Sequence, residues 1–135
     1  MRLPISKAAE EIWGVHMRVL LVDDSFIDRN VVARMLTGLG HEVVQSRSGL
    51  DALDRLEVEP VDAVIVDLVM PMLNGLETME QIRKQEGNFT LPVIVLSAAG
   101  PELARDCLRA GATAYLAKPC SAEQLANELE AAHQQ

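Results

Sequence analysis

Short apolar runs separated by helically spaced segments organise this chain. Arg18-Val-Leu-Leu-Val22, Ala63-Val-Ile-Val66, Val93-Ile-Val-Leu96 and Ala114-Tyr-Leu-Ala117 are each followed at once by a polar residue. Short runs with no polar alternation are the pattern of strands covered on both faces, as in parallel sheets. His41 to Ser46 reads as a further strand, second in chain order. Between the runs the period changes. Ile27, Val31, Val32, Met35, Leu36 and Leu39 recur at helical spacing, and Gly40 supplies a stop. Leu50, Leu53 and Leu56 mark a helix from Gly49 to Leu56, with Pro60 ending the segment. Leu76, Met79 and Ile82 mark another, broken by Gly87-Asn88 ahead of a strand at Pro92 to Leu96. Pro101 can open a helix lined by Leu103, Cys107 and Leu108 and closed by Gly111. Ser121 with Gln124 forms a capping box for a last helix carrying Leu125 and Leu129.

Five strands alternating with five helices predict an α/β fold. Right-handed crossovers make it a single doubly wound parallel sheet, order 2-1-3-4-5, with helices on both faces. The 135 residues suffice for one domain that buries about two-thirds of its unfolded surface. That domain is expected at 17–135, with 1–16 an amino-terminal extension, helical or disordered; acids at Glu10 and Glu11 argue against a signal peptide.

Charge and composition narrow the function. Twelve Lys and Arg against twenty Asp and Glu give a net charge of -8, which opposes binding to a phosphate backbone, so no nucleic-acid partner is expected. No apolar stretch approaches the roughly 18 residues of a membrane helix, and no membrane association is expected. Cys107 and Cys120 lack metal-ligand spacing and read as reduced packing thiols of a cytoplasmic protein. His16, His41 and His133 read as surface residues, and Met70 and Met72 as loop packing.

The polar residues that end the runs carry the chemistry. They are Asp23-Asp24, Asp67, Ser97 and Lys118-Pro119. In open parallel sheets the ligand crevice lies beyond the carboxyl ends of the strands, so these groups should converge. Three carboxylates about 5 Å apart, at an effective dielectric near 20, repel by roughly 3 kcal/mol per pair. Protonation, a cationic side chain or a hard divalent cation relieves that repulsion, and Mg²⁺ suits oxygen ligands of this kind. Lys118 offers a second cation. With Ser97 these are the parts of a phosphoryl-transfer site, in which Asp67 attacks phosphorus and becomes an aspartyl phosphate. Taken singly, each residue has a plain structural explanation. Asp23 and Asp24 could be acids at a helix amino terminus, Ser25 a cap, Asp67 a turn residue and Lys118 a solvated lysine.

Leu-Val-Asp23-Asp24-Ser25, Asp67-Leu-Val-Met-Pro71-Met-Leu-Asn-Gly75, Ser97-Ala and Lys118-Pro119 resemble the receiver domain of bacterial two-component response regulators, a flavodoxin-like fold. The resemblance covers 17 to about 133 and implies that Asp67 accepts phosphate from a sensor histidine kinase or histidine phosphotransfer protein. It also implies Mg²⁺ held by Asp24 directly, Asp23 mainly through water, Asp67 and the backbone carbonyl of Val69. Similar receivers carry a switch pair, here Ser97 and Tyr115, and a cis Lys118-Pro119 bond. The face expected to change, and to meet a downstream protein, is residues 101–133. Monomer or weak homodimer is expected, with no separate substrate turned over. Asn74 stands where many receivers have Asp. Val69 and Ala99 are apolar, so neither side chain can position an attacking water, and the phosphate lifetime should differ from that of relatives with polar residues there.

Rival readings fit less well. A haloacid-dehalogenase-type phosphatase needs a second Asp two residues after the first, where Val69 stands. A flavin carrier needs a phosphate cradle after the first strand, where Asp23-Asp24 would repel it. A receiver-shaped interaction module that never takes phosphate is the remaining alternative, against which Asp67, Ser97 and Lys118 count. Nothing after Lys118 exceeds one helix, so signalling is expected to pass through contact.

Overall fold

A computed structural model describes residues 16–133, so the expectation for the extension falls almost wholly outside the described residues. The elements alternate as β1 (Arg18–Val22), α1 (Phe26–Gly38), β2 (Glu42–Ser46), α2 (Gly49–Val58), β3 (Ala63–Val66) and α3 (Gly75–Lys84), then β4 (Val93–Ser97), a 3₁₀ turn (Pro101–Leu103), α4 (Ala104–Arg109), β5 (Ala114–Ala117) and α5 (Ala122–His133). All neighbouring strands pair in parallel, in the order β2-β1-β3-β4-β5. Among the described residues, no helix is long and apolar enough to cross a membrane.

The two-residue period of the strands divides the core into two layers. Val19, Leu21, Ala63, Ile65, Ile94 and Leu96 face one side, against Val32 and Leu36 of α1 and Leu125 and Leu129 of α5. Leu20, Val22, Val64, Val66, Val93 and Val95 face the other, against Ala52 of α2, Met79 and Ile82 of α3 and Cys107 of α4. Continuous apolar runs are what such a sheet requires, because both faces are buried.

Side-chain caps fix where four helices begin. The Ser25 and Ser48 hydroxyls accept from the Asp28 and Asp51 N–H groups at 3.2 and 3.1 Å. Asn74 and Glu77 form a reciprocal capping box, as do Ser121 and Gln124. Gly75 opens α3 because nothing larger fits. A Cβ there would collide with the Asp67 carbonyl oxygen and lie 2.6 Å from Leu68 Cα.

Several surface assignments need correcting. Ile27 and Val31 of α1 are 73% and 49% exposed, Leu50 of α2 and Leu108 of α4 are likewise exposed, and only part of each apolar stripe reaches the sheet. His41 is buried, not superficial, because its Nδ1 accepts the Met17 N–H at 3.0 Å where β1 begins. His16 is half-buried and His133 exposed. Met70 packs into the core, whereas Met72 is 90% exposed at a positive φ of 65° and packs nothing.

Candidate functional site

The carboxyl ends of β1, β3, β4 and β5 bring the polar residues together. Asp23 extends β1 by one residue, its N–H donating to the Ser46 carbonyl at 3.1 Å, and Asp67 extends β3 in the same way toward Val22 at 2.9 Å. Lys118 follows β5 and donates its N–H to the Ser97 carbonyl at 3.0 Å. Asp23, Asp24 and Asp67 each offer a carboxylate oxygen within 4.8 Å of the others. Asp23 is buried, Asp67 half-buried and Asp24 exposed, so the cluster opens to solvent on the Asp24 side.

Local bonds orient each member. One Asp23 oxygen accepts the Ser25 N–H at 2.9 Å and the other accepts Lys118 Nζ at 2.7 Å. Lys118 Nζ also donates to Asp28 at 3.0 Å and stands 3.6 Å from Asp67, inside ion-pair range but beyond a hydrogen bond. Burial works against the ammonium, yet the bonds to Asp23 and Asp28 and the charges of Asp23 and Asp67 outweigh it and raise the Lys118 pKa. Asp67 moves opposite to the direction expected of a carboxylate beside a cation. Burial pushes its pKa up, Asp23 adds to that, and Lys118, the Val69 N–H and the Ser97 hydroxyl only partly offset it. The lysine thus hydrogen-bonds Asp23 and Asp28 and meets Asp67 only as an ion pair.

Ser97 is buried; its oxygen accepts the Ala99 N–H at 3.2 Å and its hydroxyl proton is directed to Asp67. Val69 lies at the exposed lip, its N–H 3.4 Å from Asp67 Oδ1. Tyr115 is half-buried with its hydroxyl donating to the Gly100 carbonyl at 2.7 Å, and the Lys118-Pro119 peptide is cis. Two participants escaped the sequence reading. Asp28 contacts Lys118, and Arg29 donates to the Asp23 carbonyl at 2.8 Å. The signal for Asp28 was its place three residues after Ser25, in the first turn of the helix that follows the acidic pair. Three carboxylates with one open side form a hard oxygen donor set, the chemistry a small divalent cation prefers.

Residues 19–130 match the family model of the response regulator receiver domain. The chain belongs to that family. Over 116 residues, 84% of this chain, the receiver is 44% identical to the sensory/regulatory protein RpfC of Xanthomonas campestris, of whose length those residues make up 16%. It is 34% identical to a homologue of the chemotaxis protein CheY from Campylobacter jejuni, matching 84% of this chain and 90% of that one. Among solved structures, the receiver domain of sensor histidine kinase PA1611 from Pseudomonas aeruginosa PAO1, with a magnesium ion coordinated in its active-site cleft, superposes with a TM-score of 0.83 at 32% identity, covering 90% of this chain and all of that one. A response regulator from Chloroflexus aurantiacus gives 0.85 at 29% identity, covering 90% and 100%.

Proposed function

We propose that this receiver takes a phosphoryl group on Asp67 from a sensor histidine kinase or histidine phosphotransfer protein, and that the modification alters the face at residues 101–133 for a downstream protein. The observation that carries the reading is Lys118, whose ammonium reaches 2.7 Å from Asp23 and 3.6 Å from Asp67 at the edge of the three-carboxylate cluster. One Asp67 oxygen attacks the phosphorus of a phosphohistidine. The new P–O bond forms as the P–N bond breaks, and the imidazole nitrogen leaves with the bonding electron pair. Lys118 and the Ser97 hydroxyl each bind a phosphoryl oxygen, and most of the catalysis is placement and charge neutralisation.

Asp24, Asp67, the Val69 carbonyl and, mainly through water, Asp23 would hold Mg²⁺. When bound, the ion neutralises phosphoryl oxygen charge. The magnesium in the Pseudomonas relative's cleft and the donor set here both support that assignment. Ser97 moves toward the phosphoryl group and Tyr115, released from Gly100, turns inward. The phosphoryl group shifts the population only by its differential contacts with the two packings. The protein assists its own phosphorylation and dephosphorylation and turns over no separate substrate. It acts in the cytoplasm, as a monomer or weak homodimer.

Treatment with acetyl phosphate and Mg²⁺ should add one phosphoryl group by intact-protein mass, and Asp67→Asn should abolish the gain. A wild-type mass that does not change removes the reading.

A further inference from the structure

Lys118 is held by more acid than phosphoryl transfer requires. Its ammonium donates to Asp23 at 2.7 Å and to Asp28 at 3.0 Å, while the acceptor carboxylate stands 3.6 Å away. Asp28 is not one of the clustered carboxylates, which among the described residues are Asp23, Asp24 and Asp67. It sits in the first turn of α1, fixed by its N–H on the Ser25 hydroxyl, and its side chain reaches the site only through the lysine. Val31, Met35, Leu96, Ala98, Pro119 and Cys120 form an apolar groove beside the pair, in which the Lys118 side chain is largely buried and that of Asp28 half-exposed.

We propose that Asp28 is a positioning residue that holds Lys118 in the resting arrangement and must release it before the lysine can take a phosphoryl oxygen on Asp67. The inference rests on the phosphoacceptor reading above. Its consequence is asymmetric. The Asp28 contact stabilises the unphosphorylated protein but neither the transition state nor the aspartyl phosphate, in both of which Lys118 has already turned to the phosphoryl group. Removing Asp28 therefore speeds phosphorylation and leaves hydrolysis unchanged, a split that a general structural disturbance would not give.

The test uses the full chain, acetyl phosphate, saturating Mg²⁺ and low salt, comparing wild type with Asp28→Asn and Asp28→Glu. Phosphorylation of Asp28→Asn should be about two- to fivefold faster, the range that a half-exposed ion pair carries. Loss of phosphate after removal of donor should match wild type. Asp28→Glu, which keeps the carboxylate, should stay near the wild-type rate, and about 1 M salt should erase most of the difference because it screens the pair. Without donor or metal, the Lys118 ammonium protons should exchange with water faster in Asp28→Asn by ¹⁵N-edited NMR. Equal phosphorylation rates for wild type and Asp28→Asn overturn the inference, as does an equal change in phosphorylation and hydrolysis, and in both cases the phosphoacceptor reading stands. A wild type that takes no phosphoryl group removes both.

Discussion

Replacing Lys118 with Met tests whether this side chain is the counter-charge of the cluster. At 2.7 and 3.6 Å and an effective dielectric near 20, the gross attractions to Asp23 and Asp67 are about 6 and 5 kcal/mol. The net loss is smaller, because the wild type also gives up hydration of three buried or half-buried charges. Protonation sets a further ceiling. An uncompensated carboxylate can neutralise itself at pH 7 for about 4 kcal/mol, the cost of protonating a group whose ordinary pKa is near 3.9. Lys118→Met should therefore lose about 2–4 kcal/mol of unfolding free energy in chelator at pH 7, read from urea denaturation. The deficit should shrink as pH falls toward 5, since the uncovered acid then protonates more cheaply, and it should shrink again on adding Mg²⁺. A deficit below about 1 kcal/mol in chelator, or one that neither acid nor Mg²⁺ reduces, would refute the assignment of Lys118 as the cation of this cluster.

Three further outcomes follow from particular contacts. Gly75→Ala drives a methyl group into the Asp67 and Leu68 backbone, so it should cost about 2 kcal/mol in thermal or urea unfolding and slow phosphorylation by acetyl phosphate; unchanged stability would mean that the β3–α3 loop gives way freely. His41 has a pKa lowered by burial and by His16, and its Nδ1 cannot accept the Met17 N–H once protonated. The unfolded state then binds the proton more tightly, so stability should fall as pH drops through about 6.5, by up to about 1.4 kcal/mol per unit of pH; His41→Gln should flatten that dependence. Val69→Asn puts a polar side chain at the lip of the site and should shorten the aspartyl-phosphate lifetime severalfold by positioning water; a decay rate equal to wild type would discard the role given to the apolar residue.

What the sequence made legible follows from one geometric rule. Parallel strands end on a common rim, so residues that terminate β1, β3, β4 and β5 must approach one another whatever lies between them. Asp23, Asp67, Ser97 and Lys118 were readable for that reason, and two-sided burial made the strands themselves plain. Helical surfaces were less readable. Val31 and Val32 are about 100° apart on a helix and cannot both face the sheet, yet a count of apolar positions scores them alike. The structure buries Val32 and leaves Val31 exposed beside Pro119 and Cys120. The burial of His41 depended on the Met17 N–H, 24 residues distant, and no local pattern carries that.

Asp28 marks where the rule stops. Strand-end logic says which residues reach the rim but not how a long side chain divides its donors once there. Lys118 has three ammonium protons and three acids within 4 Å; Asp23 reaches it from the end of β1, and Asp28 from the α1 first turn set by the Ser25 cap. A cap that looks purely structural thus places one of the two carboxylates that hold the ammonium off Asp67. Asp67 is the acid whose oxygen attacks phosphorus in the proposed transfer. An acid already bonded to the ammonium would first have to give that bond up, whereas Asp67, 3.6 Å from the ammonium and with its pKa raised by burial, meets the electrophile with no such bond to lose.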